Sequence, residues 1–289
     1  MRDPRALQLA AEGLAARAPA LLAQAQDLAK TVIIGSHGRK RAGSGEDFWQ
    51  YRQAQSGDPA RMIDWRRSAR SDTHFVQDKE WQIAQTVHLW VDPAASMHFA
   101  SAGLPLKADR ARVLGLALMI GLARGGERTG LTGSALPPRR GMGHLTEMAA
   151  VLAETPESGD FGTPDLAGIA PRGGAVFISD FLGDLDAIEG SLATAVGRGV
   201  KGALLQVLDP AEDSFPFAGR TIFESMQGRV QHETLDAGGL RAAYLSRLAE
   251  RKARLSELAL RAGWQFSTHV TDRPAAPALV WLHGALGRG

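Results

Sequence analysis

The sequence predicts an α/β fold built on a doubly wound, mostly parallel sheet, and three observations carry that expectation. Short apolar, β-rich runs recur after residue 82: "TVHLWVD" at 86–92, "GAVFISD" at 174–180 and "KGALLQVLD" at 201–209. They are continuous rather than alternating, which is the pattern of strands buried on both faces. Helical segments stand between and after them, above all "KADRARVLGLALMIGLAR" at 107–124 and "GGLRAAYLSRLAERKARLSELALRAG" at 238–263. Buried strands alternating with helices make a parallel sheet with helices on both faces.

The elements follow in order. Asp3 before Pro4 is a cap and first-turn signal. Leu7, Leu14, Leu21 and Leu28 then recur every seven residues, with Pro19 expected to kink or split the helix near Ala18. Residues 1–34 are therefore read as an amphipathic helical segment docked on its own domain. Between 35 and 81 the composition shifts to Gly, Arg and aromatic residues, which predicts short strands and turns packed on the main domain. The main domain is placed at 82–289. Besides the runs above it holds a strand in "ERTGLTGSAL", a helix in "GHLTEMAAVLAET" and a loop leading to a short helix in "FGTPDLAGIAP". A helix around 184–198, a hairpin-like excursion over 214–236, a strand in "WQFSTHVT" and a last helix in "APALVWLHGAL" complete it.

Composition narrows the function classes. With 33 Lys+Arg against 31 Asp+Glu the net charge is only +2, too small for a whole-protein electrostatic grip on nucleic acid or membrane. The absence of cysteine excludes disulfides, thiolate metal sites and cysteine nucleophiles. Charged and polar residues interrupt the apolar N-terminal stretch, and no later stretch is long and apolar enough to span a bilayer, so the expectation is a soluble cytoplasmic protein. The eight histidines are scattered, with no His-Glu-x-x-His helix, and neither a P-loop ending nor a nucleophile-elbow serine is present.

What chemistry there is gathers at strand ends. Asp92 and Asp180 each directly follow a buried strand, and in open α/β sheets ligands bind beyond the carboxyl ends of strands where strand order reverses. Ser96 and Thr163 can add hydroxyl oxygens, and an oxygen-only set suits a hard cation such as Mg²⁺. The bland alternative is that both aspartates cap the helices that follow.

A second constellation is "GDPARMIDWRRSARSD" at 57–72. Arg61, Arg66, Arg67 and Arg70 can meet phosphates with Trp65 stacking on a base, but Asp58 and Asp64 are interleaved among them. The same residues can pin the segment through Arg–Asp pairs, or form a partner surface rich in Arg and Trp.

"SGDPARMIDWRRSAR", "DKEW", "VDPAASM" and "ISDF" together resemble the bacterial domain of unknown function fifty-eight family, from about Gly35 to Pro274. The resemblance implies a three-layer domain of von Willebrand A type and a metal-ion-dependent adhesion site of the pattern Asp-x-Ser-x-Ser with a distant Thr and Asp. Asp92, Ser96, Thr163 and Asp180 match it, whereas Ala94 stands where the first serine belongs and has no oxygen to offer. It further implies a protein-binding adaptor working with a MoxR-type AAA ATPase in chaperone-like assembly or maturation, metal-dependent if Mg²⁺ is held. Two other functions stay open: a metal-dependent hydrolase using Asp92 and Asp180, and a nucleic-acid-binding module centred on Arg61–Arg70.

Overall fold

The structure, a computed structural model, describes residues 4–32, 39–43, 47–55, 63–69, 73–83, 85–228 and 231–287. In chain order its elements are α1 (Pro4–Thr31), β1 (Arg39–Gly43), β2 (Asp47–Gln53), α2 (Trp65–Ser68), β3 (Phe75–Ile83), β4 (Thr86–Val91), α3 (Lys107–Arg124), β5 (Arg128–Leu131) and α4 (Met142–Glu154). They continue with β6 (Gly174–Ser179), α5 (Leu185–Gly197), β7 (Lys201–Leu208), α6 (Pro210–Ser214), β8 (Thr221–Glu224), β9 (Gln231–Thr234), α7 (Ala237–Arg261), β10 (Gln265–Val270) and α8 (Ala275–Gly287). The chain forms two compact units, one of residues 1–37 with 86–289 and one of residues 38–85.

The larger unit is a parallel five-stranded sheet in the order β10-β7-β6-β4-β5 with helices on both faces, the doubly wound α/β arrangement the sequence predicts. Strand periodicity sends alternate residues to opposite faces. Val87, Leu89, Val91, Val176, Ile178, Leu205 and Val207 enter a core shared with α1, α3, α4 and α8. Trp90, Ala175, Phe177 and Leu204 enter a second core with α5, α7 and Trp264. α3 is buried nearly all round from Leu114 to Leu122, because α1 and α4 cover the side that the sheet does not. At Gly115 a Cβ would lie 2.7 Å from a Leu89 methyl carbon, so glycine lets α3 approach the sheet.

Two local expectations are corrected. α1 runs as one helix through Pro19 rather than splitting there. Its second half buries Leu21, Ala25 and Ala29, and it packs on α3 and α4; that packing outweighs the one backbone bond proline removes. The "FGTPDLAGIAP" stretch contains turns but no helix. Asp165 there accepts a hydrogen bond from Ala167 N at 2.8 Å, an aspartate turn that competes with helix formation. The expected hairpin is present as antiparallel β8 and β9.

The smaller unit is an antiparallel sheet in the order β1-β3-β2 with the single-turn α2. Asp64 caps α2, its Oδ1 accepting from Arg66 N at 3.1 Å and Arg67 N at 3.0 Å.

Candidate functional site

The sheet order reverses between β4 and β6. From β4 the chain passes through α3 to β5 on one side, then crosses to β6, β7 and β10 on the other. β4 and β6 are direct neighbours, Val91 opposite Ile178, and Asp92 N continues the ladder to Ile178 O at 2.9 Å. The sheet therefore brings Asp92 and Asp180 out together at the switch point, where a ligand crevice belongs.

Asp92 is 1% exposed. Its Oδ1 accepts from Ala94 N at 2.8 Å and its Oδ2 from Ser179 Oγ at 2.6 Å. Burial pushes its carboxyl up to about 6, the Asp180 charge adding to the rise while the hydrogen bonds from Ser179 and Ala94 and the Lys107 charge oppose it. The loop at Gly162 closes directly over this carboxylate, since a Cβ there would fall 2.0 Å from Asp92 Oδ1.

Asp180 is held just as closely. Its Oδ1 accepts from Leu182 N at 3.0 Å, and its Oδ2 receives the Lys107 ammonium at 2.8 Å. Lys107 opens α3 and is completely buried, and its Nζ also donates to Glu212 Oε1 at 2.6 Å. Burial works against that charge, but the two carboxylates outweigh it and hold the ammonium above its ordinary pKa. Glu212 is positioned by the capping box of α6, its Oε2 accepting from Asp209 N at 2.9 Å. Asp209, the third strand-end aspartate, serves as that cap and also accepts from Ser101 N at 2.7 Å. Beyond Asp180 the backbone turns through the left-handed conformation at Phe181 (φ 49°), and the Arg251 guanidinium fixes the turn by donating to the Phe181 and Gly183 carbonyls.

Ser96 and Thr163 border different cavities. Ser96 is buried, its hydroxyl has no hydrogen-bond partner, and it lines a cavity of about 240 Å³. The wall is aromatic: Phe215 packs on Phe217, Phe223 and Tyr244 with ring centroids 4.6–5.5 Å apart. Phe161 and Met226, 48% and 49% exposed, also line it, as does Glu212. Thr163 lines a separate cavity of about 270 Å³ with Thr132, Gly133 and Asp165.

These residues can be matched against a resident Mg²⁺, which needs near-octahedral oxygen ligands. Ala94 supplies none, both Asp92 oxygens accept hydrogen bonds, and Asp180 carries the Lys107 ammonium on the oxygen turned away from Leu182 N. The Ser96 hydroxyl, another oxygen the motif names, has no hydrogen-bond partner. Among the described residues no group of three or more His, Cys, Asp or Glu is arranged to hold a metal. The donor set does not fit the ion that the motif implies.

Of the arginine-rich constellation, Asp64, Trp65, Arg66 and Arg67 are described, whereas Asp58, Arg61 and Arg70 lie outside the described residues. Trp65 is 57% exposed and meets the His74 ring edge-on at 5.5 Å. The Arg67 guanidinium lies over the Phe75 ring at 5.4 Å.

Sequence reading missed Lys107, Glu212, Ser179 and the aromatic wall. Two signals were present. A lysine in the first turn of a helix opposes the macrodipole, so Lys107 needs a reason to be there. "DPAE" at 209–212 reads as a capping box, which turns the Glu212 carboxylate back toward the strand end.

Comparison with known proteins places these residues in context. The family described as "Protein of unknown function DUF58" matches residues 50–254. Two mycobacterial relatives are each 28% identical over 272 residues, covering 89% of this chain and 85% of theirs: Uncharacterized protein Rv1480 of Mycobacterium tuberculosis and Uncharacterized protein Mb1516 of Mycobacterium bovis. Two solved structures superpose with a TM-score of 0.40, covering 71% of this chain and 100% of theirs. They are an aerotolerance-related membrane protein from Bacteroides fragilis at 12% identity and the conserved hypothetical protein BatB from Bacteroides thetaiotaomicron at 14%. Among the described residues of this chain no helix is long and apolar enough to cross a membrane.

Proposed function

The chain belongs to the DUF58 family of proteins of unknown function, and from that premise we propose that it is a non-catalytic, protein-binding adaptor that takes its partner at the carboxyl edge of the larger sheet. The observation that carries the reading is the aromatic cavity beside Ser96 and Glu212, with Phe161 and Met226 exposed around it. Large apolar side chains left half in water around a preformed pocket are what an anchor residue of a partner protein would cover. Filling such a cavity with one Leu or Phe side chain contributes roughly 2–3 kcal/mol. The resemblance supplies the partner class, a MoxR-type AAA ATPase, with the adaptor serving chaperone-like assembly or maturation.

A hydrolase using Asp92 and Asp180 is the second reading, and the raised Asp92 carboxyl is what favours it, since a proton-transferring acid works best near neutral pH. It requires phosphoester or peptide turnover that Asp180→Asn abolishes in a folded protein. The adaptor reading is tested by affinity capture from native lysate, with Mg²⁺ and separately with EDTA. Wild type should recover an AAA ATPase that Met226→Asp does not. Capture independent of Met226 would move the interface off this edge, and recovery of no ATPase by wild type would remove the proposed partner.

A further inference from the structure

A completely buried lysine bonds Asp180, one of the two carboxylates that the sequence motif assigns to a metal ion. Lys107 reaches the crevice from the start of α3, Asp180 from the end of β6 and Glu212 from α6, so three separate elements converge on one ammonium. Burying a charge is costly unless partners surround it, and here two carboxylates bond it at 2.8 and 2.6 Å. The lysine is not placed for its helix, whose N-terminal end repels a cation. Both counter-ions are pre-set without it: Leu182 N fixes Asp180, and the Asp209 capping box fixes Glu212. Such a pair of oriented carboxylates is an anionic cradle that requires a cation.

We propose that the Lys107 ammonium is the resident cation of this crevice, bonding Asp180 and Glu212 in place of a divalent ion, and that removing it uncovers a divalent-cation site made of those two carboxylates. Alanine at position 94 fits the same substitution, because an ammonium is a hydrogen-bond donor held by two acceptors and has no need of a ring of hydroxyl ligands. The inference stands apart from the adaptor reading, since it concerns the chain alone and is tested without any partner.

The experiment titrates Mn²⁺ into the purified full chain, read by electron paramagnetic resonance and by thermal melting against EDTA. Wild type should show no saturable site tighter than about 1 mM, and its Tm should move by less than about 1 °C with a few millimolar Mn²⁺. Lys107→Ala should gain one site, and its Tm should rise by roughly 3–6 °C under the same conditions. Adding Asp180→Asn to Lys107→Ala should remove that gain. A wild-type Mn²⁺ site that Asp180→Asn abolishes would overturn the proposal, as would a folded Lys107→Ala protein indifferent to the ion. Should Lys107→Ala not fold in EDTA, its refolding from urea decides: recovery only with Mn²⁺ supports the proposal, and failure in both overturns it.

Discussion

Replacing Asp92 by asparagine should stabilise the protein at neutral pH and change how its stability depends on pH. The carboxyl is 1% exposed, and burial raises it from an ordinary 3.8 to about 6. Between those values the folded state binds the proton more tightly than the unfolded chain, so stability falls as pH rises through that window and stays reduced above it. At about 1.4 kcal/mol per pH unit, the gap corresponds to roughly 3 kcal/mol of destabilisation at pH 7. Asparagine keeps the shape of the protonated carboxyl, and its Oδ1 can still accept from Ala94 N. Its amide must donate to Ser179 Oγ, which already accepts from Phe181 N at 2.9 Å. Setting that mismatch at about 1 kcal/mol leaves a net gain near 2 kcal/mol, or about 4 °C in Tm for a unit of this size. Urea denaturation of both proteins from pH 4 to pH 8 reads the effect. The advantage of Asp92→Asn should be full above pH 6 and vanish near pH 4. Parallel curves, or a variant less stable at pH 7, would refute the reasoning.

Three further outcomes follow from the same geometry. His269 is buried, and burial together with Arg110 and Arg273 lowers its pKa to about 4. It therefore contributes up to about 3 kcal/mol that is fully present above pH 6.5 and lost as pH falls toward 4. His269→Gln should flatten that acid slope in the same urea series, and an unchanged slope would contradict the assignment. Gly162→Ala forces a Cβ against Asp92 Oδ1, so its urea midpoint should drop by the equivalent of about 1–3 kcal/mol. A neutral effect would mean that the loop does not close on Asp92. Glu212→Ala removes one counter-ion of a buried ammonium and half of the α6 capping box, with an expected loss of about 3–5 kcal/mol. A loss below about 1 kcal/mol, the worth of a cap alone, would show that Lys107 does not depend on Glu212.

The fold was legible because parallel strands buried on both faces leave a signature that needs no partner residue to be read. "HLWV", "AVFIS" and "ALLQVL" announce the sheet, and their terminal aspartates mark its carboxyl edge. α1 resisted reading at Pro19 because helix continuity there is decided by packing on α3 and α4, which local propensity does not contain. Sequence placed Asp92 and Asp180 at the carboxyl edge of the sheet, and the structure makes their strands neighbours where the strand order reverses. What neighbours those carboxylates was not legible. Lys107 lies 73 residues from Asp180 and 105 from Glu212 along the chain, so no local spacing reveals the contact. The aromatic wall likewise joins Phe215, Phe217 and Phe223 to Tyr244 on α7, a grouping made only by the fold.

The most direct test of the adaptor reading is calorimetric titration of this chain with a purified MoxR-type AAA ATPase, the partner class proposed above. Wild type, Phe161→Asp and Met226→Asp would be compared, each in EDTA and in Mg²⁺. Wild type should bind, with both substitutions weakening the complex at least about tenfold, and the affinity should be the same with and without the metal. Absence of binding by wild type, or binding that both substitutions leave intact, would contradict the proposed interface. Binding abolished by EDTA alone would instead contradict an ammonium as the resident cation.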